Sequence, residues 1–447
     1  MVHNLSEVVR QFKQQWTSQL DDQTIAQVCR EEGMTWRKTR LNPIITIKLF
    51  FLQILHGNTA CEHLRHLARM SFTGAGYCLA RMRIPLSVFQ ALLGRTAARM
   101  KEEVSDTGRW RGHRLFYVDG SSFSMPDEPC LQKEFGQPGG QKQGSGFPVA
   151  HFLALMHAAT GMVVKVLTSP LRTHDISGMV ELHPELREGD VLAGDRGFCG
   201  YAHLALLFLR GVYAVLRIHQ RQIVDFTEGR PHVVPGKGSN QGKKGMPRSR
   251  WIRAFAFQDQ LVQWFKPVES PEWMSTEQYA SLPESLMVRE LRYHIECKGF
   301  RTQEITLVAT LLDAELYPAD ELASMYYRRW TIETNFRHLK ITMKMDVLKC
   351  QTVDGVLKEL AVFVLIYNLV RFVMLEASRR QEVEVDRISF IDALRWLMSA
   401  RPGDKLCNLV VNPHRPNRYE PRVRKRRPKP YPLMTKPRRQ LKKELAA

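Results

Sequence analysis

Between Arg114 and Ile218 the chain alternates short apolar runs with breaks carrying Gly, Pro or Asp, and the order of those runs restricts the fold more than any other feature. Residues 115–118 (LFYV) have the pattern of a buried strand that ends at Asp119-Gly120 and gives way to a turn, SSFSMPD. Residues 149–158 and 162–167 flank Ala159-Thr160-Gly161 as the arms of a hairpin. A helix fits 174–186, a short strand at 190–194 (DVLAG) ends at Asp195-Arg196-Gly197, and 201–210 and 212–218 read as helix and strand. The Gly/Gln-rich stretch 135–147 has neither periodicity and predicts a mobile loop.

Three strands, helix, strand, helix, strand is the order of a ribonuclease-H-like α/β core. It puts Asp119 and Asp195 at the C-terminal ends of two apolar strands, where mixed sheets build ligand sites. Ahead of the core, residues 1–108 read as an all-α N-terminal domain with helices at 5–20, 22–32, 43–56, 60–70, 74–82 and 85–103. Residues 87–101 are cationic on one side, which suits a helix-turn-helix-like pair with the short helix before them or, nearly equally, a plain helical bundle. The core, opening at 109–218, is interrupted by a β-rich insertion at 219–302, with a basic Gly-rich loop (236–250) and strand-like runs at 251–257, 261–265 and 287–297. It resumes over 303–405 with a strand at 305–312, and 406–447 is a basic tail expected to be disordered.

Residues 325–345 (MYYRRWTIETNFRHLKITMKM) contain neither Pro nor Gly and predict one continuous helix. At 100° per residue, Tyr326, Arg329, Glu333 and Lys340 fall on one narrow stripe, at offsets 0, +3, +7 and +14. Ile332, Phe336, Leu339 and Met343 form an apolar stripe beside it. A carboxylate between two cations, with a phenol above, suits a site that binds metal and phosphate oxygens together. The plainer reading is a solvated face stitched by pairs such as Arg329–Glu333.

Charge narrows the partners. The 447 residues carry a net +20, which predicts attraction to a polyanion, nucleic acid first. From Arg415 onward there are thirteen Lys/Arg against two Glu, so +11 of that charge lies in the tail and about +9 in the rest. No apolar run reaches the ~18 residues of a membrane span, and 360–370 (LAVFVLIYNLV), interrupted by Asn368, reads as a buried helix. Met1 to Leu20 is polar and unlike a signal peptide, and eight scattered cysteines without CxxC point to a reducing cytoplasm and away from structural zinc. No membrane partner is expected.

Asp119, Asp195 and Glu333 are therefore the candidate catalytic and metal-binding residues. Taken singly, Asp119-Gly120 spells a turn and Glu333 a surface helix residue; their joint placement in this strand order is far more specific. Mg²⁺ prefers carboxylate and water oxygens, and two ions about 4 Å apart can activate a nucleophile and stabilise a leaving oxygen in phosphodiester chemistry.

The spacing Tyr326, Arg329, Glu333, Lys340, with the Asp119 context (YVDGSSFSMPD) and the Asp195 context (VLAGDRGFCGYAHL), resembles the DDE transposases of bacterial insertion sequences, in the family-four group that carries the YREK signature. The resemblance covers about residues 111–377. It implies a ribonuclease-H-like fold with a β insertion between the second Asp and the Glu, and Mg²⁺ or Mn²⁺, two ions, on Asp119, Asp195 and Glu333. Tyr326, Arg329 and Lys340 would meet phosphates of the terminal strand, with Arg196 a further candidate. It implies nicking at the element end, hairpin formation, reopening and joining to target DNA, in a homodimeric synaptic complex on double-stranded terminal inverted repeats. Trp251, Trp264 and Trp273 are candidates for stacking on a flipped base, and a place in core is the alternative for each. A ribonuclease-H-like nuclease or resolvase without strand transfer, and a transposase-derived DNA-binding protein that has lost catalysis, remain the other readings. The expected location is the bacterial cytoplasm, nucleoid-associated when bound to DNA.

Overall fold

The structure, a computed structural model, describes residues 20–104, 106–140, 142–171, 175–230, 246–295, 304–401, 404–413, 434 and 436–446. The expected helix at 5–20, apart from Leu20, and most of the basic loop at 236–250 lie outside these residues.

Among the described residues five helices come first: α1 (Asp22–Glu31), α2 (Pro43–Leu55), α3 (Cys61–Ala68), α4 (Gly74–Arg83) and α5 (Leu86–Glu103). Their starts follow from local capping chemistry. Asp21, Asn42 and Thr73 accept hydrogen bonds from Thr24 N, Ile45 N and Gly76 N, and Pro43 sits where a missing N–H costs nothing. The cations of α5 are largely spent inside the protein, Arg95 on Glu31, Arg99 on Glu102 and Lys101 on Glu185.

The next elements are β1 (Leu115–Ser124), α6 (Pro129–Phe135), β2 (Val149–His157), β3 (Val163–Pro170), two helical turns (Asp175–Gly178, Met179–Glu185), β4 (Val191–Gly194), α7 (Tyr201–Leu209) and β5 (Tyr213–Arg217). β6 (Arg248–Ala256), β7 (Asp259–Phe265), α8 (Thr276–Ala280), β8 (Ser285–His294) and β9 (Glu304–Ala309) follow. All nine strands form one sheet in the order β3-β2-β1-β4-β5-β9-β8-β7-β6, with β1, β4 and β5 parallel to one another. The insertion strands thus extend the core sheet through β9, and Val262, Trp264, Leu286 and Val288 share an apolar cluster with Leu204 and Leu216.

Two expectations need correction here. β1 does not end at Asp119-Gly120: β2 keeps pairing with it from Asp119↔Ala154 to Ser124↔Val149, so the ladder overrides the turn-forming residues. The stretch 135–147 is stitched rather than loose, with Gln137 Oε1 accepting from Gly144 N at 2.8 Å and Gln132 Nε2 donating to Gly146 O at 2.8 Å.

Helices cover both faces of the core sheet, α7 on one and the N-terminal helices with the elements that follow β9 on the other. The segment 319–342 is α9 (Ala319–Tyr327), a 3-10 turn (Arg328–Trp330), α10 (Thr331–Arg337) and a π turn (His338–Thr342), so the expected single helix changes winding three times. α11 (Val353–Gln381) and α12 (Phe390–Ser399) follow. By length and composition α11 could cross a bilayer, yet 94 % of its most apolar window is buried in protein, among residues of the N-terminal helices as well as the sheet. Its polar groups clamp the β2–β3 turn: Asn368 accepts from Val163 N and donates to Val163 O, Tyr367 donates to Gly161 O, and Arg371 donates to Thr160 O. Part of the tail expected to be disordered is structured. Leu406 and Leu409 are buried, and α13 (Arg438–Ala446) starts at an arginine stacked 3.8 Å over Phe147; residues 414–433 lie outside the described residues.

Candidate active site

Alternation along the strands decides where the carboxylates point. On β1, Leu115 and Tyr117 belong to the cluster under α9–α11 while Phe116 and Val118 face the opposite side; on β4, Val191 and Ala193 face the first side and Leu192 the second. Continuing the period of two, Asp119 and Asp195 both project toward the helices. The parallel register Val118↔Gly194 makes them neighbours across adjacent strands. Gly194 permits that approach, because a Cβ there would lie 2.9 Å from Val118 Cγ1.

The incoming helix is pinned to both strands. Tyr117 OH donates to Met325 O at 3.1 Å, and Tyr326 OH donates to Gly194 O at 3.2 Å. Arg329, buried, donates through Nη1 to Asp119 Oδ2 at 3.0 Å and lies over the Tyr326 ring at 5.5 Å. Lys340 Nζ donates to Ser121 Oγ at 3.0 Å, two residues past Asp119 on the same face, and burial holds its ammonium below the ordinary lysine value. Glu333 stands exposed on α10. Burial pushes the Asp119 carboxyl up to about 6, against Arg329 and the Gly120 N–H, with Asp195 and Glu333 adding repulsion.

Tyr326, Arg329 and Lys340 therefore border the aspartate strands, though not in one role, while Glu333 reaches Asp119 only as a repelling charge. Tyr326 is 1 % exposed with its hydroxyl spent on Gly194, so as placed it braces the Asp195 turn instead of presenting a phenol to phosphate. Arg196 is exposed and donates to Gln220 Oε1, pointing away from Asp119. The tryptophans do not gather here. Trp264 is buried with its indole N–H donating to Glu290 at 2.8 Å, which removes it as a stacking platform. Trp251 is half-buried on β6, and Trp273 is stacked on His203 at 4.5 Å.

Arg217 is the site residue the sequence reading missed. It ends β5 level with Asp195, and its Nη1 lies 3.8 Å from Asp195 Oδ1. The period of two, counted from buried Val215, was the signal available for it. Asp195 Oδ1 is itself shut off from solvent with no hydrogen bond among the described residues.

Carboxylates are the donor set a hard divalent cation takes, and an orphaned buried oxygen beside a repelled neighbour fits a site completed by a cation. Among the described residues no three His, Cys, Asp or Glu side chains already stand close enough to hold an ion between them.

Residues 110–369, more than half of the chain, match the family model described as the transposase DDE domain. The transposase InsG for insertion sequence element IS4 of Escherichia coli (strain K12) is 23 % identical over 376 residues, spanning 80 % of this chain and 77 % of the relative. A piggyBac transposase in a synaptic complex with hairpin DNA superposes with a TM-score of 0.44 at 12 % identity, over 86 % of this chain and 78 % of that one. The chain belongs to the transposase DDE domain family and is a DNA transposase.

Proposed function

We propose that Asp119, Asp195 and Glu333 are the catalytic carboxylates, holding two Mg²⁺ or Mn²⁺ ions, and that Arg329 and Lys340 engage phosphates of the terminal strand. The observation that carries this reading is the Asp119–Asp195 pair, in register on one face where β4 ends, with Glu333 near enough to raise the Asp119 carboxyl. Bound divalent ions would polarise the scissile phosphate and lower the pKa of the attacking water or 3′-hydroxyl. Arg329 neutralises Asp119 in the metal-free protein, and its planar fork suits phosphate once a cation takes over that charge. Tyr326 and Arg217 act from behind, one on the Gly194 carbonyl and the other on Asp195. Arg196 is the outlying phosphate contact, and Trp251 and Trp273 remain the stacking candidates.

The substrate is double-stranded DNA, the element's terminal inverted repeats and then the target, acted on by a homodimer with the N-terminal helices binding the ends. Nicking is followed by attack of the 3′-hydroxyl on the opposite strand to form a hairpin, which is reopened before strand transfer. The protein works in the cytoplasm, on the nucleoid.

The test is Mg²⁺-dependent cleavage of end-containing DNA by the wild type and by Glu333→Gln. The variant should bind ends and fail to cut, and denaturing gels should resolve hairpin and joined products with the wild type. Cleavage without hairpin or joining would reduce the reading to a nuclease. End binding without any metal-dependent cutting by the wild type would leave a DNA-binding protein.

A further inference from the structure

The register of the sheet connects the two aspartates to a feature far from them in sequence. Asp195 is level with Arg217 on β5, and the pairing continues from Arg217 to Leu307, Leu291, Asp259 and finally Ala256 at the end of β6. The next residue, Phe257, is the tip of the β6–β7 hairpin and is 91 % exposed. Six inter-strand steps from Asp119, at about 4.8 Å each, put that tip on the order of 25–30 Å along the sheet, or roughly eight base pairs of B-DNA.

The hairpin is held rigid. Arg289 is buried, donates to both oxygens of Asp259 (2.7 and 2.5 Å) and stacks 5.3 Å from the Phe255 ring, which Arg253 covers at 4.8 Å. Arg292 N donates to Gln258 O at 2.9 Å, and Gln258 itself takes φ +57°, a conformation costly for a side chain other than glycine. Arg250 and Arg253 pair across the ladder with Gln263 and Leu261, on the face that carries Asp119 and Asp195. Both are exposed, and neither has a carboxylate partner among the described residues.

A fixed, outward aromatic beside unneutralised guanidinium groups fits a polyanion that also offers stacked apolar faces. We propose that the β6–β7 hairpin is a second DNA-contacting element: Phe257 wedges against the duplex roughly eight base pairs from the cleaved phosphate, while Arg250 and Arg253 hold the backbone along β6. This rests on the reading that the sheet face bearing Asp119 and Asp195 meets the scissile DNA. It is tested without cleavage, so that failure of the two ideas can be told apart.

Full-length protein in EDTA is titrated by anisotropy against a labelled duplex of roughly 30 base pairs over a series of salt concentrations. Phe257→Ala should bind about tenfold more weakly and Phe257→Leu should retain most of the affinity, since a leucine can also wedge. Arg250→Ala with Arg253→Ala should lower the slope of log K against log salt by nearly two. All variants should melt with the wild type, because the replaced side chains are exposed. Wild-type affinity in Phe257→Ala, or an unchanged salt slope in the arginine variant, overturns the proposal, as does weak binding that tracks a lowered melting temperature.

Discussion

Replacing Asp119 by Asn should stabilise the metal-free protein, and the size of the gain follows from the site. The Asp119 carboxyl is raised from 3.8 to about 6 because burial, with Asp195 and Glu333 behind it, outweighs Arg329. At 1.36 kcal/mol per unit, a shift of about two units is worth ~3 kcal/mol, and the 23 % of the side chain still exposed brings that toward ~2 kcal/mol. The sign follows from linkage. The folded state binds the proton more tightly than the unfolded chain, so the advantage of the neutral carboxyl is intact below about pH 4, is lost as pH rises through about 6 and is absent above it. Asparagine does not ionise, so the variant should melt with the wild type near pH 4 and above it near pH 7.5. For 447 residues, ~2 kcal/mol corresponds to roughly 2 °C. Calorimetry in EDTA across that range reads the gap, and adding Mg²⁺ should close it by stabilising the wild type alone. A variant that melts at or below the wild type near pH 7.5, or a gap indifferent to pH, would show that the carboxyl is not held against its neighbours.

Three further outcomes follow from the packing. Gly161→Ala should cost about 3 kcal/mol in urea unfolding, because Gly161 has φ +65° and a Cβ there would lie 2.4 Å from the Arg371 guanidinium. Asn368→Ala strips both polar groups of Val163 of their buried partners and should lower stability by about 2–4 kcal/mol in the same assay. Trp264→Phe leaves buried Glu290 short of a donor and should cost about 1–3 kcal/mol, whereas Trp251→Phe removes an indole N–H that is already buried without a partner and should be close to neutral. Equal effects at the two tryptophans would contradict the assignment of Trp264 to the core.

The strands were legible because apolar residues shielded on both faces write near-continuous hydrophobic runs at 115–118 and 191–194, and at 261–265 only Gln263 interrupts the run. What could not be read was pairing. Asp119-Gly120-Ser121-Ser122 spells a turn by local preference, and only β2, some thirty residues further on, holds it extended. The continuity of the insertion with the core depends on β9 pairing with β5 on one edge and β8 on the other, a tertiary fact with no local signature. Composition likewise missed α13, whose anchor is Arg438, stacked over Phe147 and paired with Asp127. The three acidic residues could be nominated because the chemistry restricts candidates to strand ends and one helix face. Arg217 escaped because an arginine that ends a strand looks ordinary until its neighbour is known.

The three carboxylates are not held alike. Asp119 and Asp195 sit on parallel strands whose spacing is set by Gly194 and whose depth is set by Tyr117 and Tyr326, each hydrogen-bonded to a backbone carbonyl on the element it packs against. Glu333 has no such support: it is exposed on the seven residues of α10, between a 3-10 turn and a π turn, the two windings that most easily exchange hydrogen bonds. α10 is tied down by buried Ile332 and Phe336, the latter edge-on to Phe152, and by Asn335, which accepts from buried Arg371 at 3.4 Å while the same guanidinium holds Thr160 O and Asp386. The aspartate pair is therefore built into the sheet, whereas Glu333 is placed only through the packing of α10, to which a cation in α11 that also fixes the β2–β3 turn contributes.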